Sequence, residues 1–88
     1  MKYAIYVNYK GLEYQVRALK NENGFCLSCE EEIATIPKYD TQELAKGEIR
    51  QILNGFRTIF FGLTGEQCNF CEDDFVIKEI DSFDNDDY

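Results

Sequence analysis

Residues 3–18 read "YAIYVNYKGLEYQVRA". Within them Tyr3, Ile5, Val7 and Tyr9 alternate with Ala4, Tyr6 and Asn8, and Leu12, Tyr14, Val16 and Ala18 alternate with Glu13, Gln15 and Arg17. A period of two puts every second side chain on one face of an extended chain, so both runs read as strands. Lys10 and Gly11 stand between them, and glycine tolerates the positive φ of a tight turn. Asn23-Gly24 is the favoured type I′ turn pair and leads into a third strand over Phe25–Cys29. The N-terminal half is expected to be a three-stranded antiparallel meander.

Working outward from that hairpin, Pro37 has no amide N–H to give to a ladder, and the residues after it have the form of a capping box. Asp40 would accept at the helix N-terminus, with Glu43 three residues on. Ala45, Ile49, Ile52, Leu53 and Phe56 then recur at the spacing of one helical face, Lys46 and Arg50 fall on the solvent side, and Asn54-Gly55 supplies the stop. Gly47 inside this helix costs up to about 1 kcal/mol relative to alanine. Residues 56–63 are aromatic and β-branched enough for a strand, with continuation of the helix as the alternative. Thr64-Gly65 reads as a turn, and Phe75–Ile80 as a last strand. The order β-β-β-α-β-β predicts an α+β fold, an antiparallel sheet of four to five strands with one helix packed on one face, in two layers. Residues 1–80 form a single domain, and residues 81–88 an acidic tail expected to lack order.

A chain of 88 residues buries only about 60–65% of its unfolded surface, which leaves little stability in hand and makes a covalent or metal staple worth looking for. With 44% hydrophobic residues and 15% aromatic ones it has the material for a core. Met1–Tyr6 lacks the apolar run of a secretory signal, and Ile59, Phe60 and Phe61 are too few to cross a bilayer, so a cytoplasmic location is expected.

The formal charge of −8 is not spread evenly. Residues 1–57 hold eight Lys and Arg against eight Asp and Glu, whereas residues 58–88 hold one Lys, Lys78, against nine acids. Such a surface repels phosphates, disfavours direct nucleic-acid binding and suits a basic partner. A plainer reading is that the acids only maintain solubility. Asp84, Asp86 and Asp87 do not make a calcium loop, because the loop glycine and closing Glu of an EF-hand are missing.

The four cysteines form two Cys-x-x-Cys pairs, Cys26 with Cys29 and Cys68 with Cys71, each followed by three acids. Three readings stand. Zinc needs four soft ligands at about 2.3 Å, and two tight bends from distant parts of the chain supply them, which makes Cys26, Cys29, Cys68 and Cys71 candidate ligands of a structural ion. Its charge near −2 would sit beside Glu30, Glu31, Glu32, Glu72, Asp73 and Asp74 without evident compensation. In the second reading the thiols are inert: on a straight strand Cys29 joins Phe25 and Leu27 in the core while Cys26 faces the other way. The third is a disulfide or redox role, for which the usual cation or helix N-terminus beside the attacking sulfur is not apparent. There is no His to act as general base and no Gly-rich phosphate loop, so the chain reads as a non-enzyme.

Function is then expected to lie in contact. Alternate residues on one strand face are about 6.8 Å apart, so Glu79 and Asp81 would space their charges much as successive phosphates are spaced. With Glu72, Asp73, Asp74, Asp84, Asp86 and Asp87 they are the candidate partner-binding residues. In size, acidity and lack of catalytic parts the chain resembles the small phage-encoded inhibitors of restriction or CRISPR nucleases, several of which are DNA mimics. That resemblance implies a non-catalytic domain in the host cytoplasm that occupies the nucleic-acid or PAM-reading surface of a nuclease. The alternative is a zinc-stabilised structural or adaptor subunit whose contact is a Tyr-rich sheet carrying Tyr3, Tyr6, Tyr9 and Tyr14.

Overall fold

The computed structural model describes residues 1–20, 24–30, 32–62 and 66–80. The alternating N-terminal run forms β1 (Lys2–Tyr9) and β2 (Leu12–Gln15), joined by Lys10 and Gly11 at φ of 52° and 83°. Two successive positive φ values are the mirror-image turn that matches strand twist. β3 (Arg17–Leu19), β4 (Phe25–Leu27) and β5 (Ala34–Thr35) follow, then α1 (Gln42–Leu53), β6 (Ile59–Phe61), β7 (Glu66–Cys68), a 3-10 turn at Glu72–Asp74, and β8 (Phe75–Ile80). The fold is α+β, with one α-helix among the described residues.

The strands do not make the single sheet expected. They form a three-stranded sheet of order β2-β1-β8 and a five-stranded one of order β5-β3-β4-β6-β7. The expected second strand, residues 12–18, is split between them at Val16. Its amide donates to the Ile5 carbonyl at 2.9 Å and its side chain is fully buried. The sequence conceals this break because alternation survives it: Tyr14, Val16 and Ala18 all pack into or against the core. Both antiparallel pairings of the expected meander form, β1 with β2 and β3 with β4, but in different sheets, where β8 joins β1 and β5 joins β3.

β4 and β6 are parallel, and a parallel pair needs a crossover connection, here the segment that contains β5 and α1. The core lies between the two sheets and α1. Ile5 and Val7 contribute from β1, Phe25 and Leu27 from β4, Ala45 and Ile49 from α1, and Ile59 from β6. β4 is covered on both faces, with Phe25, Cys26 and Leu27 all buried. Cys26 does face away from Phe25 and Leu27, as expected of a strand, but that second face is covered too and Cys26 is buried; Cys29 does not join the core and is half-buried beyond the strand end.

Three further expectations shift. Thr41, not Asp40, caps the helix, its Oγ1 accepting from the Leu44 amide at 3.2 Å. Asp40 is drawn away to an ion pair with Lys2. The apolar stripe holds at Ala45 and Ile49 and fades after Ile52, because the helix stops at its Asn54 cap and leaves Phe56 72% exposed. Of residues 56–63 only Ile59–Phe61 is strand. Phe75–Ile80 is a strand as expected. Thr64-Gly65, Asn23 and residues 81–88 lie outside the described residues. No helix among the described residues is long and apolar enough to cross a membrane.

A Cβ added at Gly47 meets no atom within 4 Å. Gly47→Ala is therefore expected to stabilise the fold by up to about 1 kcal/mol, by removing the backbone freedom of glycine from a helix interior. Thr41→Ala should destabilise it by about 1 kcal/mol through loss of the cap, and Asp40→Ala by less, since its ion pair with Lys2 is exposed to solvent. Denaturant midpoints of the three variants measure this order.

Candidate functional site: the acidic β8 edge and the aromatic seam

β8 is an edge strand, hydrogen-bonded to β1 in an antiparallel register that sets Val7 against Phe75, Ile5 against Ile77 and Tyr3 against Glu79. Paired residues share a face, so Phe75, Ile77 and Glu79 lie on the core side, and Val76, Lys78 and Ile80 on the outer side. Phe75 and Ile77 enter the core margin, while Glu79, nearer the strand's end, is exposed. The 3-10 turn leads into the strand with three acids whose fates differ. Asp74 is half-buried and its Oδ2 accepts from the Cys71 amide at 2.9 Å, so its carboxylate is spent on the local turn. Glu72 and Asp73 remain exposed.

Glu72 also borders a groove of about 290 Å³ between α1 and β8, together with Gln42, Lys46, Ile49, Arg50, Phe75 and Ile77. Two helix cations there face one carboxylate. On the outer face Lys78, the one cation of the C-terminal third, pairs with Glu13 and sits 4.8 Å from the Tyr6 ring centroid. The exposed acids thus fall beyond the start of β8, in the 3-10 turn, and near its end at Glu79, with the strand from Phe75 to Glu79, about 13 Å at a rise of about 3.3 Å per residue, between them. The structure does not gather Glu72, Asp73, Asp74 and Glu79 into one stripe. Asp81, Asp84, Asp86 and Asp87 fall outside the described residues.

The aromatic side chains are brought together where β1, β2, β6 and the start of β8 meet. Tyr9 contacts Phe61 and Phe70 with centroids 5.2 and 5.7 Å apart, Tyr14 meets Phe61 at 5.4 Å, and Phe70 meets Phe75 at 5.6 Å. Edge and tilted geometries of this kind are favoured by the ring quadrupoles. The Tyr9 hydroxyl donates to Glu66 Oε1 at 3.1 Å. Desolvation in the seam, followed by the neighbouring Cys68 thiol and Glu66 carboxylate, pushes the Tyr9 phenol up to about 12. Burial, and then the Glu48 carboxylate, raise Tyr39 as well, against the lowering influence of Arg57. Sequence reasoning missed the Tyr9, Glu66 and Cys68 cluster, and no spacing rule would have found residues 57 and more apart. The four tyrosines proposed as one contact face are divided, with Tyr3, Tyr9 and Tyr14 on the core side and Tyr6 on the outer side.

The cysteines are also divided. In the five-stranded sheet Phe25 is level with Ile59 and Ile59 with Cys68, whereas Cys26 is level with Phe60 and Arg17. Cys26 and Cys68 therefore lie on opposite faces of one sheet, two strands apart. Among the described residues no group of three or more Cys, Asp or Glu side chains is placed to hold a metal ion. Cys26 and Cys29 are joined as a disulfide, Cys68 is buried as a free thiol and Cys71 is exposed. Glu30 and Glu32 stand beside each other next to this pair, and the hydrogen bond and charge of Glu32 hold the Glu30 carboxyl above its ordinary value. No known protein family matches the chain, and neither curated sequences nor solved structures offer a similar protein.

Tyr9 and Tyr39 are expected to ionise above the ordinary phenol value in an absorbance titration, and Tyr9→Phe to remove one late-titrating group. Both native pKa values are raised above the ordinary value of 10.0. Their contribution to stability is therefore complete below about pH 10, and the Tyr9 share is lost as pH rises through about 12. A Tyr9 phenol titrating at the ordinary value of 10.0 would show that the seam is open to water.

Proposed function

We propose that this chain is a non-catalytic acidic protein-binding domain that inhibits a basic nucleic-acid-binding protein, such as a nuclease, by occupying its nucleic-acid site. The supporting observation is the distribution of charge about β8. Glu72 and Asp73 are exposed just before it and Glu79 near its end, and its one cation, Lys78, is already engaged by Glu13. The partner then meets a strand edge with exposed Asp73 and Glu79 carboxylates next to it, while Glu72 shares its groove with Lys46 and Arg50. Four more acids, Asp81, Asp84, Asp86 and Asp87, follow directly in the sequence.

The physical logic is that of electrostatic replacement. A groove lined with Lys and Arg to receive phosphates also receives carboxylates at comparable spacing, and attraction between extended patches of opposite sign speeds encounter and makes it sensitive to salt. Carboxylates on an ordered strand give up little conformational freedom on binding, which favours the folded decoy over a loose acidic peptide.

Capture of the chain on an immobilised basic nuclease complex, with and without competing duplex DNA, tests this reading. Binding is expected to fall about tenfold or more when salt is raised past the range where the Debye length drops below about 5 Å, and to be displaced by the DNA. Replacing Glu72, Asp73 and Glu79 together by Gln, Asn and Gln should weaken it by a similar factor, and Asn at Asp81, Asp84, Asp86 and Asp87 should weaken it further. Binding that ignores salt, DNA and both sets of substitutions removes the proposal.

A further inference from the structure

Cys26 and Cys29 are brought together by a local device that the decoy reading does not use. β4 ends at Leu27, and Ser28 follows at φ 58°. A non-glycine residue in the left-handed region turns the chain back sharply, and here it sets the two cysteine Cα atoms 6.2 Å apart. That separation falls inside the range a disulfide spans. Both sulfurs lie on the same backbone carbonyl, with the Leu27 oxygen 3.9 Å from Cys26 Sγ and 3.7 Å from Cys29 Sγ.

The two sulfurs differ in access and surroundings. Cys26 is 1% exposed in the middle of a five-stranded sheet, with Arg17 directly across the ladder on one side and Phe60 on the other. Cys29 is half-buried beyond the strand end, where solvent reaches it. An asymmetric pair of this kind divides the labour of thiol–disulfide exchange: one sulfur meets the outside reagent and the other closes or leaves. A cation across the ladder is suited to a sulfur that carries negative charge as it leaves.

The geometry points to Cys26 and Cys29 as a reversible thiol–disulfide site, in which Cys29 is the sulfur that a low-molecular-weight disulfide reaches and Cys26 the buried sulfur that completes the bond. In the oxidising direction the Cys29 thiolate attacks one sulfur of glutathione disulfide and releases one glutathione thiolate. The Cys26 thiolate then attacks the Cys29 sulfur of the mixed disulfide and releases the second. Two protein thiols lose two electrons and two protons, and one glutathione disulfide becomes two glutathione molecules. Reduction runs the same steps backward, and Cys26 leaves into the sheet beside Arg17. The closed bond ties the end of β4 to the turn that carries Glu30 and Glu32 and returns the chain to β5, where the Lys20 amide donates to the Ile33 carbonyl at 2.9 Å.

The full-length chain, reduced and then equilibrated with glutathione disulfide, is alkylated under denaturing conditions and mapped by peptide mass. The expected product is one bond between Cys26 and Cys29, with Cys68 and Cys71 both alkylated, and full reversal by excess reduced glutathione. Cys26→Ser should trap a glutathione adduct on Cys29, and Cys29→Ser should leave Cys26 unmodified in the native chain. In the reduced unmodified chain, brief native alkylation should label Cys29 well before Cys26, a readout that needs no variant to fold. Alkylation of all four cysteines, a bond to Cys68 or Cys71, faster labelling of Cys26, or one zinc ion retained by the four thiols would each overturn the assignment.

Discussion

The structure depends on a single backbone hand-over at Val16. By donating its amide to Ile5 while burying its own side chain, Val16 lets one alternating stretch serve two sheets without breaking the continuity of the apolar face. β1 can then be sandwiched between β2 and β8, and β3 is free to begin the second sheet. The core between the two sheets is fed from the same stretch on both sides of Val16, and α1 contributes Ala45 and Ile49 to it. A buried amide without a partner costs about 1–3 kcal/mol, so the bond at this corner is part of what makes the corner tenable.

Pairing β1 with β8 brings the two ends of the described chain together over six register positions. It also determines where the acidic third of the molecule is displayed. β8 takes its order from β1 and from the helix above it, and presents its free edge with carboxylates before its start and near its end. The aromatic seam at the Phe75 end makes that edge stiff, because Tyr9, Phe61, Phe70 and Phe75 interlock there. Electrostatic display and aromatic packing are thus properties of the same strand: its Phe75 end is packed into the seam, and Glu79, on the same face toward the other end, is left to water.

Cys-x-x-Cys spacing in the sequence suggests two equivalent turns, and the tertiary structure makes them unlike. Cys26 sits in a central strand and Cys68 in an edge strand on the opposite face of the same sheet. Spacing reports only that two sulfurs are close along the chain. Whether two such pairs converge is a question of strand register, and a parity difference of one residue decides it.

Much of the local structure was legible because short-range physics specifies it. The Lys10-Gly11 turn, the Asn54-Gly55 stop and the strand Phe75–Ile80 follow from φ preference and periodicity within a few residues. Thr41 displaced Asp40 as the cap because Lys2, distant in sequence, draws the Asp40 carboxylate to itself and lowers its pKa through a hydrogen bond and its charge. The split of residues 12–18 into two sheets, the parallel pairing of β4 with β6, and the separation of the cysteines and tyrosines onto different faces were decided only in three dimensions. Alternation states that a residue faces inward; it carries no information on which sheet's interior that is, and long-range hydrogen bonding alone makes the choice.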